Sequence, residues 1–473
     1  MKQLHDEPSP SVVVIGGGIA GLAAAWHLTK LGVPRVAVLE ASNRWGGKLH
    51  TNEFAGADVD TGPDAFVARS KVAVELCMEL GLEKELVSPA LSNAYVVSRG
   101  RLRPFPANTL MGVPSSLRSL AGSGAVRTLG VIRASADLVL PASRVHGDVS
   151  VASALGPRLG RSVLYELIDP LVGGINGGSV DELSLSSAAP DIHNLYNSHR
   201  SLLVAARRHQ AYRGLRQGSP VFYGIERGMQ RLADALSCAL RERRVDMRTM
   251  SPAVDISKDD DGGWSVKCGN GESVAVKGVI LAVPAFEAAR ILRTCFSEVA
   301  DILDNIRYAS VSVVRLAYRS EATTFPLDGS GFVVPASEGM LTTACSWASS
   351  KWERLGRSNS IILRASVGRL NDTRAGKLSD RDLIARVHTE LARLLGIDQG
   401  PIEADVTRWD RALPQYEPGH SERISRVDQT IKSMQGIALA GAAYHGLGIP
   451  ACIKSGYEAA SLVESSLHET GPG

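Results

Sequence analysis

The chain has 473 residues, 44% of them apolar and 21% charged, with a formal net charge of +3. That length exceeds one hydrophobic core, so two or more domains are expected, and that net charge is too small to argue for nucleic acid, so no such partner is expected. Arginine outnumbers lysine by about three to one; its planar fork suits carboxylates and phosphates, although a GC-rich coding sequence accounts for the same excess.

The first residues, "MKQLHDEPSP", have neither an apolar h-region nor the Arg/Ser-rich look of a transit peptide. No apolar run of about 18 residues follows, because Met434 to Ile453 is interrupted by His445, Pro450 and several glycines. Six cysteines without CxxC or metal spacing fit a reducing compartment. The chain therefore reads as cytoplasmic, with peripheral membrane contact left open.

Val12 to Ile15 predicts a short buried strand, Ile19 to Leu31 a helix, and Val36 to Leu39 a second strand. Gly16, Gly18 and Gly21 stand between the first two, the spacing of a dinucleotide-binding turn in the context that supports it. Gly16 permits the tight turn, Gly18 the approach of a pyrophosphate and Gly21 close helix–strand packing. The intervening Gly17, Ile19 and Ala20 complete the turn, whose helix N-terminus offers free N–H groups to phosphate. Glu40 closes the second strand, where its carboxylate can accept from ribose hydroxyls.

From about Pro104 to Gln217 the chain looks mostly helical, and the arginine-rich stretch 198–218 reads as solvated or mobile. Residues 246–284 alternate as strands. Residues 306–370 hold further β-rich runs, among them "SVSVVRLAY" and "SIILRASVG", suited to a separate sheet. From Ile437 the pattern returns to strand, glycine loop and helix. A nucleotide domain built from residues 1–90, 220–300 and 409–473 follows, with a mostly helical insert at 91–219 and a sheet domain at 301–408.

Continuing from Glu40, "EASNRWGGKLHT" resembles the second flavin motif of the amine-oxidase-like flavoproteins. Arg44 and Lys48 can neutralise a pyrophosphate there while glycines let the chain pass close. "DTGPDAF" resembles the loop these proteins lay against the flavin ring. Further along, "YVVSRGRLRPFP", "IDPLVGGINGGSVDELSLSSAAP", "ILAVPA", "RALPQYEPGH" and "LAGAAYHGLGIPACIKSGYEAA" follow in an order similar to that of the porphyrinogen oxidases of haem biosynthesis. Within them "GIPACI" looks like the form in the coproporphyrinogen III oxidases of Gram-positive bacteria, since protoporphyrinogen oxidases usually show an Asn-Asp pair at Pro450 and Ala451.

The resemblance implies an α/β fold with a Rossmann-type FAD-binding domain, an inserted helical domain and a substrate-binding sheet. It also implies FAD contacts from Gly16 to Gly21, Glu40, Ala41, Arg44, Lys48, Gly62, Pro63, Asp64, Ala65, Val254, Trp409, Leu447, Gly448 and Ile449. The reaction implied is a six-electron oxidation of coproporphyrinogen III, with O2 as acceptor, H2O2 as by-product and hand-over to a ferrochelatase-type enzyme. Protoporphyrinogen IX is the rival substrate. The residues also leave open an amine oxidase or carotenoid desaturase, and a flavoprotein without catalysis. No Ser-His-Asp set, paired carboxylates or metal cluster presents itself, and no acid or base is assigned; His420 and His445 read as structural, and Cys452 as a buried thiol. Propionates call for basic groups around an apolar slot, for which Arg99, Arg101, Arg103, Tyr444 and His445 are the candidates. Ala94 stands where many protoporphyrinogen oxidases carry a basic residue, so that contact does not transfer.

Overall fold

Val12–Ile15 forms a strand with both faces buried, and the structure grows outward from it. The computed structural model of the chain describes residues 10–141, 147–214, 220–259, 261–357 and 360–469. Val12–Ile15 is central in a parallel five-stranded sheet, flanked by Val36–Leu39 and Gly278–Leu281, with Asp246–Arg248 and Ile437–Leu439 outermost. Parallel strands covered on both faces read as unbroken apolar runs. Val12 and Val14 meet the helices Ile19–Lys30, Gln230–Glu242 and Ile449–Glu469. Val13 and Ile15 meet the other face, closed by the antiparallel strands Ala253–Lys258, Trp264–Cys268 and Ser273–Val276 and by three helices. Three distant parts of the chain thus complete one sheet.

A second sheet of seven strands holds the long pair Tyr308–Arg319 and Glu403–Pro414, then Ser360–Val367, Thr342–Trp347 and Gly331–Val333. Period-two alternation divides its faces. Leu363, Ala365 and Val367 point into a core shared with Leu383, Val387 and Leu391 of the helix Asp380–Leu395. Arg364 and Ser366 point the other way, toward the nucleotide-binding side.

Two features depart from the reading of the sequence. Ala94–Ser98 and Arg101–Pro104 form a hairpin on the edge of the seven-stranded sheet, through parallel pairing of Ala94–Val96 with Gly331–Val333. Residues 91–219 are therefore not uniformly helical. Pairing over more than two hundred residues leaves no local trace. The strand Glu403–Pro414 also runs straight through the boundary expected at 408/409.

The remaining insert is helical around its own core of Leu155, Leu159, Leu167, Ile168 and their neighbours. Leu164–Ile168 winds as one π-turn before the helix Asp169–Asn176. Pro170 has no N–H to give the Glu166 carbonyl, so the ladder resets there. In the stretch expected to be solvated or mobile, Leu202–Gly214 is a helix whose Leu202, Leu203 and Ala206 are buried; residues 215–218 lie outside the described ones. Among the described residues no helix is long and apolar enough to cross a membrane.

Candidate active site

The glycine turn forms an open cradle. Gly16 sits at φ +110°, where a side chain is strained, and a Cβ there would also meet the Ala282 oxygen at 2.5 Å. A Cβ on Gly21 would lie 1.9 Å from the Gly16 oxygen, so strand and helix touch only because that side chain is missing. A Cβ on Gly18 would meet nothing within 4 Å, so the floor there is free. The helix Ile19–Lys30 has no side-chain cap at Gly18, and its first N–H groups face that space. Glu40 accepts from the Gly17 and Ser42 N–H groups, both at 2.7 Å. These two donors fix the carboxylate beside the cradle, and its oxygens keep lone pairs for hydroxyls.

The segment that follows is laid on this turn. Gly46 N–H donates to the Gly17 carbonyl at 2.8 Å, and Gly18 and Gly46 form a parallel bridge. Ala41 is exposed at the rim. Arg44 is spent on its own loop, donating to the carbonyls of Gly47 and of Leu49, the latter at 3.2 Å, and to Gln230 at 3.4 Å. Burial lowers its pKa against the pull of Glu40. Lys48 differs. It is exposed, yet the protein crowded around it lowers its pKa, and the Cys452 thiol works the other way. Glycine turn, Lys48 and the first turn of the C-terminal helix therefore converge.

Residues 61–65 are held from the opposite side, by the seven-stranded sheet. Trp409 donates its indole N–H to the Thr61 carbonyl at 2.9 Å, and Arg364 donates to the Gly62 carbonyl at 2.5 Å. Gly62 lies so close to Lys48 that a Cβ would stand 2.1 Å from the Lys48 oxygen. Asp64 Oδ2 accepts from Lys351 Nζ at 2.8 Å and Trp352 Nε1 at 3.1 Å, with Arg364 at 3.0 Å. Burial alone would raise the Asp64 carboxyl, but the two cations outweigh it and hold it well below the usual carboxylate range. Pro63 is exposed and Ala65 half-buried.

Val254 falls at a β-bulge, opposite no residue of the neighbouring strand, and its carbonyl accepts from Arg290 at 3.1 Å. Leu447, Gly448 and Ile449 lead into the C-terminal helix, with Ile449 buried and Gly448 exposed. Cys452 is buried behind them, its thiol pushed up to about 11 by burial. His420 supports this turn from below. It is 1% exposed, stacks on Tyr416 at 4.2 Å between ring centroids, and its Nε2 lies 3.3 Å from the Tyr444 carbonyl. Tyr416 in turn accepts from Gly446 N–H at 2.8 Å.

A cavity of about 380 Å³ opens between the loop at Gly62 and Asp64, the polar face of the sheet and Leu171 of the helix Asp169–Asn176. Val313 and Val333 extend its apolar wall; Lys351, Arg364, Ser346 and Ser366 supply the polar one. None of the five residues expected to meet substrate lines it. Arg99, Arg101 and Arg103 lie on the hairpin Ala94–Pro104, beyond Ala94, which does reach the cavity. Arg99 donates to the Gly124 carbonyl at 2.6 Å, and its backbone N–H to Glu338 at 2.7 Å. Tyr444 is buried in the nucleotide-side core, and His445 pairs with Asp428 at 3.3 Å, which raises its pKa. Sequence reasoning passed over Lys351, Trp352 and Arg364. The one signal was an arginine within the otherwise apolar strand "SIILRASV", on the face opposite Leu363 and Ala365.

Residues 19–463 match the flavin containing amine oxidoreductase family. The coproporphyrinogen III oxidase of Bacillus subtilis (strain 168) is 33% identical over 95% of this chain and 97% of its own length. That of Staphylococcus aureus is 29% identical, covering 97% and 99%. Among solved structures, a protein of Exiguobacterium sp. 255-15 superposes with a TM-score of 0.86 at 29% identity, covering 97% of this chain and 99% of that one.

Proposed function

We infer that this chain, which belongs to the flavin containing amine oxidoreductase family, is an FAD-dependent oxidase that converts coproporphyrinogen III to coproporphyrin III in haem biosynthesis. The relatives named coproporphyrinogen III oxidase support this substrate, and the cavity beside the loop at Gly62 and Asp64 carries it. Its wall is apolar at Leu171, Val313 and Val333 and cationic at Lys351 and Arg364, the combination that an apolar macrocycle ringed with carboxylates requires.

The residues present fit FAD: an uncapped helix N-terminus, an open floor at Gly18 and a carboxylate fixed beside it. In this reading Glu40 receives the ribose, Lys48 stands over the pyrophosphate, and the loop Gly62–Ala65 supports the ring. When bound, FAD supplies the acceptor for hydride leaving a bridging carbon between electron-rich pyrroles. The chain contributes position, charge and exclusion of water. Trp409, Arg364 and Lys351 fix the supporting loop from the sheet, while Leu171 closes the slot from the helical side. O2 is the final acceptor, so about three H2O2 accompany each porphyrin formed.

Anaerobic mixing of the yellow holoprotein with each porphyrinogen tests the reading. Coproporphyrinogen III should bleach the flavin absorbance, with kcat/KM in air well above that for protoporphyrinogen IX. A clear preference for protoporphyrinogen would overturn the substrate, and no bleaching by either would overturn the activity. Porphyrin made in air without peroxide would overturn O2 as acceptor.

A further inference from the structure

Three donors from the sheet side converge on a single oxygen of the supporting loop: Lys351 Nζ, Trp352 Nε1 and Arg364 all address Asp64 Oδ2. The charges there do not balance. Of the ionisable side chains that line the cavity, Lys351 and Arg364 are cationic and Asp64 alone is anionic. Both cations are shielded, with side chains 17% and 9% exposed, and a shielded cation in excess is costly unless an anion joins it. Donors remain for that anion. Arg364 gives one hydrogen of one terminal nitrogen to Asp64 and one of the other to the Gly62 carbonyl, and each of those nitrogens has a second hydrogen to give. Lys351 gives one N–H to Asp64 and has three to give.

We propose that Lys351 and Arg364 form a carboxylate clamp that receives one propionate of the substrate, with Asp64 as the internal anchor holding both cations on the cavity wall. This rests on the porphyrinogen reading above and assigns a specificity role within it. Asp64 acts as a positioning residue, because its carboxylate fixes where the two cations stand. The clamp also ties the substrate to the loop Gly62–Ala65, since the same two side chains hold that loop. A carboxylate entering the clamp is registered against the ring support without a separate anchor.

The test uses FAD-loaded protein and the oxidised porphyrin as probe, so that binding is read without turnover. Coproporphyrin III and its uncharged tetramethyl ester are titrated by porphyrin fluorescence, alongside flavin content and visible spectrum. Lys351→Met should weaken binding of the acid about tenfold or more and leave the ester within twofold, with flavin retained. Lys351→Arg should restore most of the acid affinity. In steady state the loss should fall on KM for coproporphyrinogen rather than on kcat. If Lys351→Met loses its flavin, Ser366→Asp carries the test: it adds a carboxylate to the same wall without touching Asp64, and should penalise the acid and not the ester. Equal losses for acid and ester, or none for either in both variants, would overturn the clamp. So would a shift of the flavin reduction potential without any change in acid affinity, since the cations would then serve the cofactor. A wild-type protein that binds the acid over the ester yet oxidises neither porphyrinogen would overturn the activity and leave the clamp standing.

Discussion

His420 makes stability depend on acidity in a calculable way. Burial holds its imidazole at about 4 against an ordinary 6.5; its contact with the Tyr444 carbonyl pulls the other way, Arg423 and His445 lower it further, and Asp148 raises it. In the unfolded chain the ring takes its proton near 6.5, and in the folded chain only near 4. Between those values the unfolded state binds the extra proton, so stability is full above about pH 6.5 and drains away as the pH falls. At pH 5 the linkage amounts to about 2 kcal/mol relative to pH 7.5, or roughly 4–8 °C in the melting midpoint of a 150–250-residue unit. His420→Gln keeps a donor for the Tyr444 carbonyl and removes the titration. Melting both proteins, FAD-saturated, at pH 7.5 and pH 5 gives a double difference in which every other titrating group cancels. The wild type should lose several degrees more than the variant. Equal losses would refute the argument, because the buried ring would then be taking its proton in the folded state.

Glu40→Ala should weaken FAD binding by about 1–3 kcal/mol, the cost of losing charge-assisted hydrogen bonds, with the fold intact; unchanged affinity by flavin fluorescence titration would remove Glu40 from the site. Gly62→Ala drives a Cβ to 2.1 Å from the Lys48 oxygen and should cost at least tenfold in flavin affinity, whereas Gly376→Ala, with open space around it, should cost nothing; equal behaviour would mean the loop yields freely. Arg315→Met removes the 1%-exposed partner of Asp405, Asn52 and the Val59 carbonyl and should destabilise by about 2–4 kcal/mol from the groups left unpaired, read as a lower melting midpoint. Acid precipitation should release the flavin into solution, Cys452 being a protonated buried thiol; a yellow pellet would contradict that.

How far the sequence could be read depends on how local the cause is. Val12 to Leu39 was legible because the run of β-branched residues, the glycine spacing and the helix period all lie within thirty residues and agree. The sheet runs around 308–319 and 360–367 were equally visible. What joins them was not. The hairpin Ala94–Pro104 enters the large sheet by pairing with residues more than two hundred positions away, and Arg99, Arg101 and Arg103 drew attention by crowding while the fold carries them away from the cavity. Lys351 and Arg364 were passed over for the complementary reason. Lys351 sits among other charges in "KWER" and Arg364 stands alone in an apolar run, and the partner that joins them, Asp64, lies nearly three hundred residues earlier.

The central parallel sheet has a consequence for the order of events during synthesis. Its last strand, Ile437–Leu439, and the helix Ile449–Glu469 that packs along Ile19–Lys30, are made more than four hundred residues after the glycine turn. Until then Val279 to Leu281 presents an open edge, and the side of the first helix that meets Ile449–Glu469 has no cover. The cradle that begins at Gly16 is thus finished only by segments translated more than four hundred residues after it. Nascent chains carry an unsealed, aggregation-prone sheet edge while the residues between Leu281 and Ile437 are made. Cofactor capture therefore waits for the helix Ile449–Glu469, and free flavin can act as a folding template only once that helix has been made.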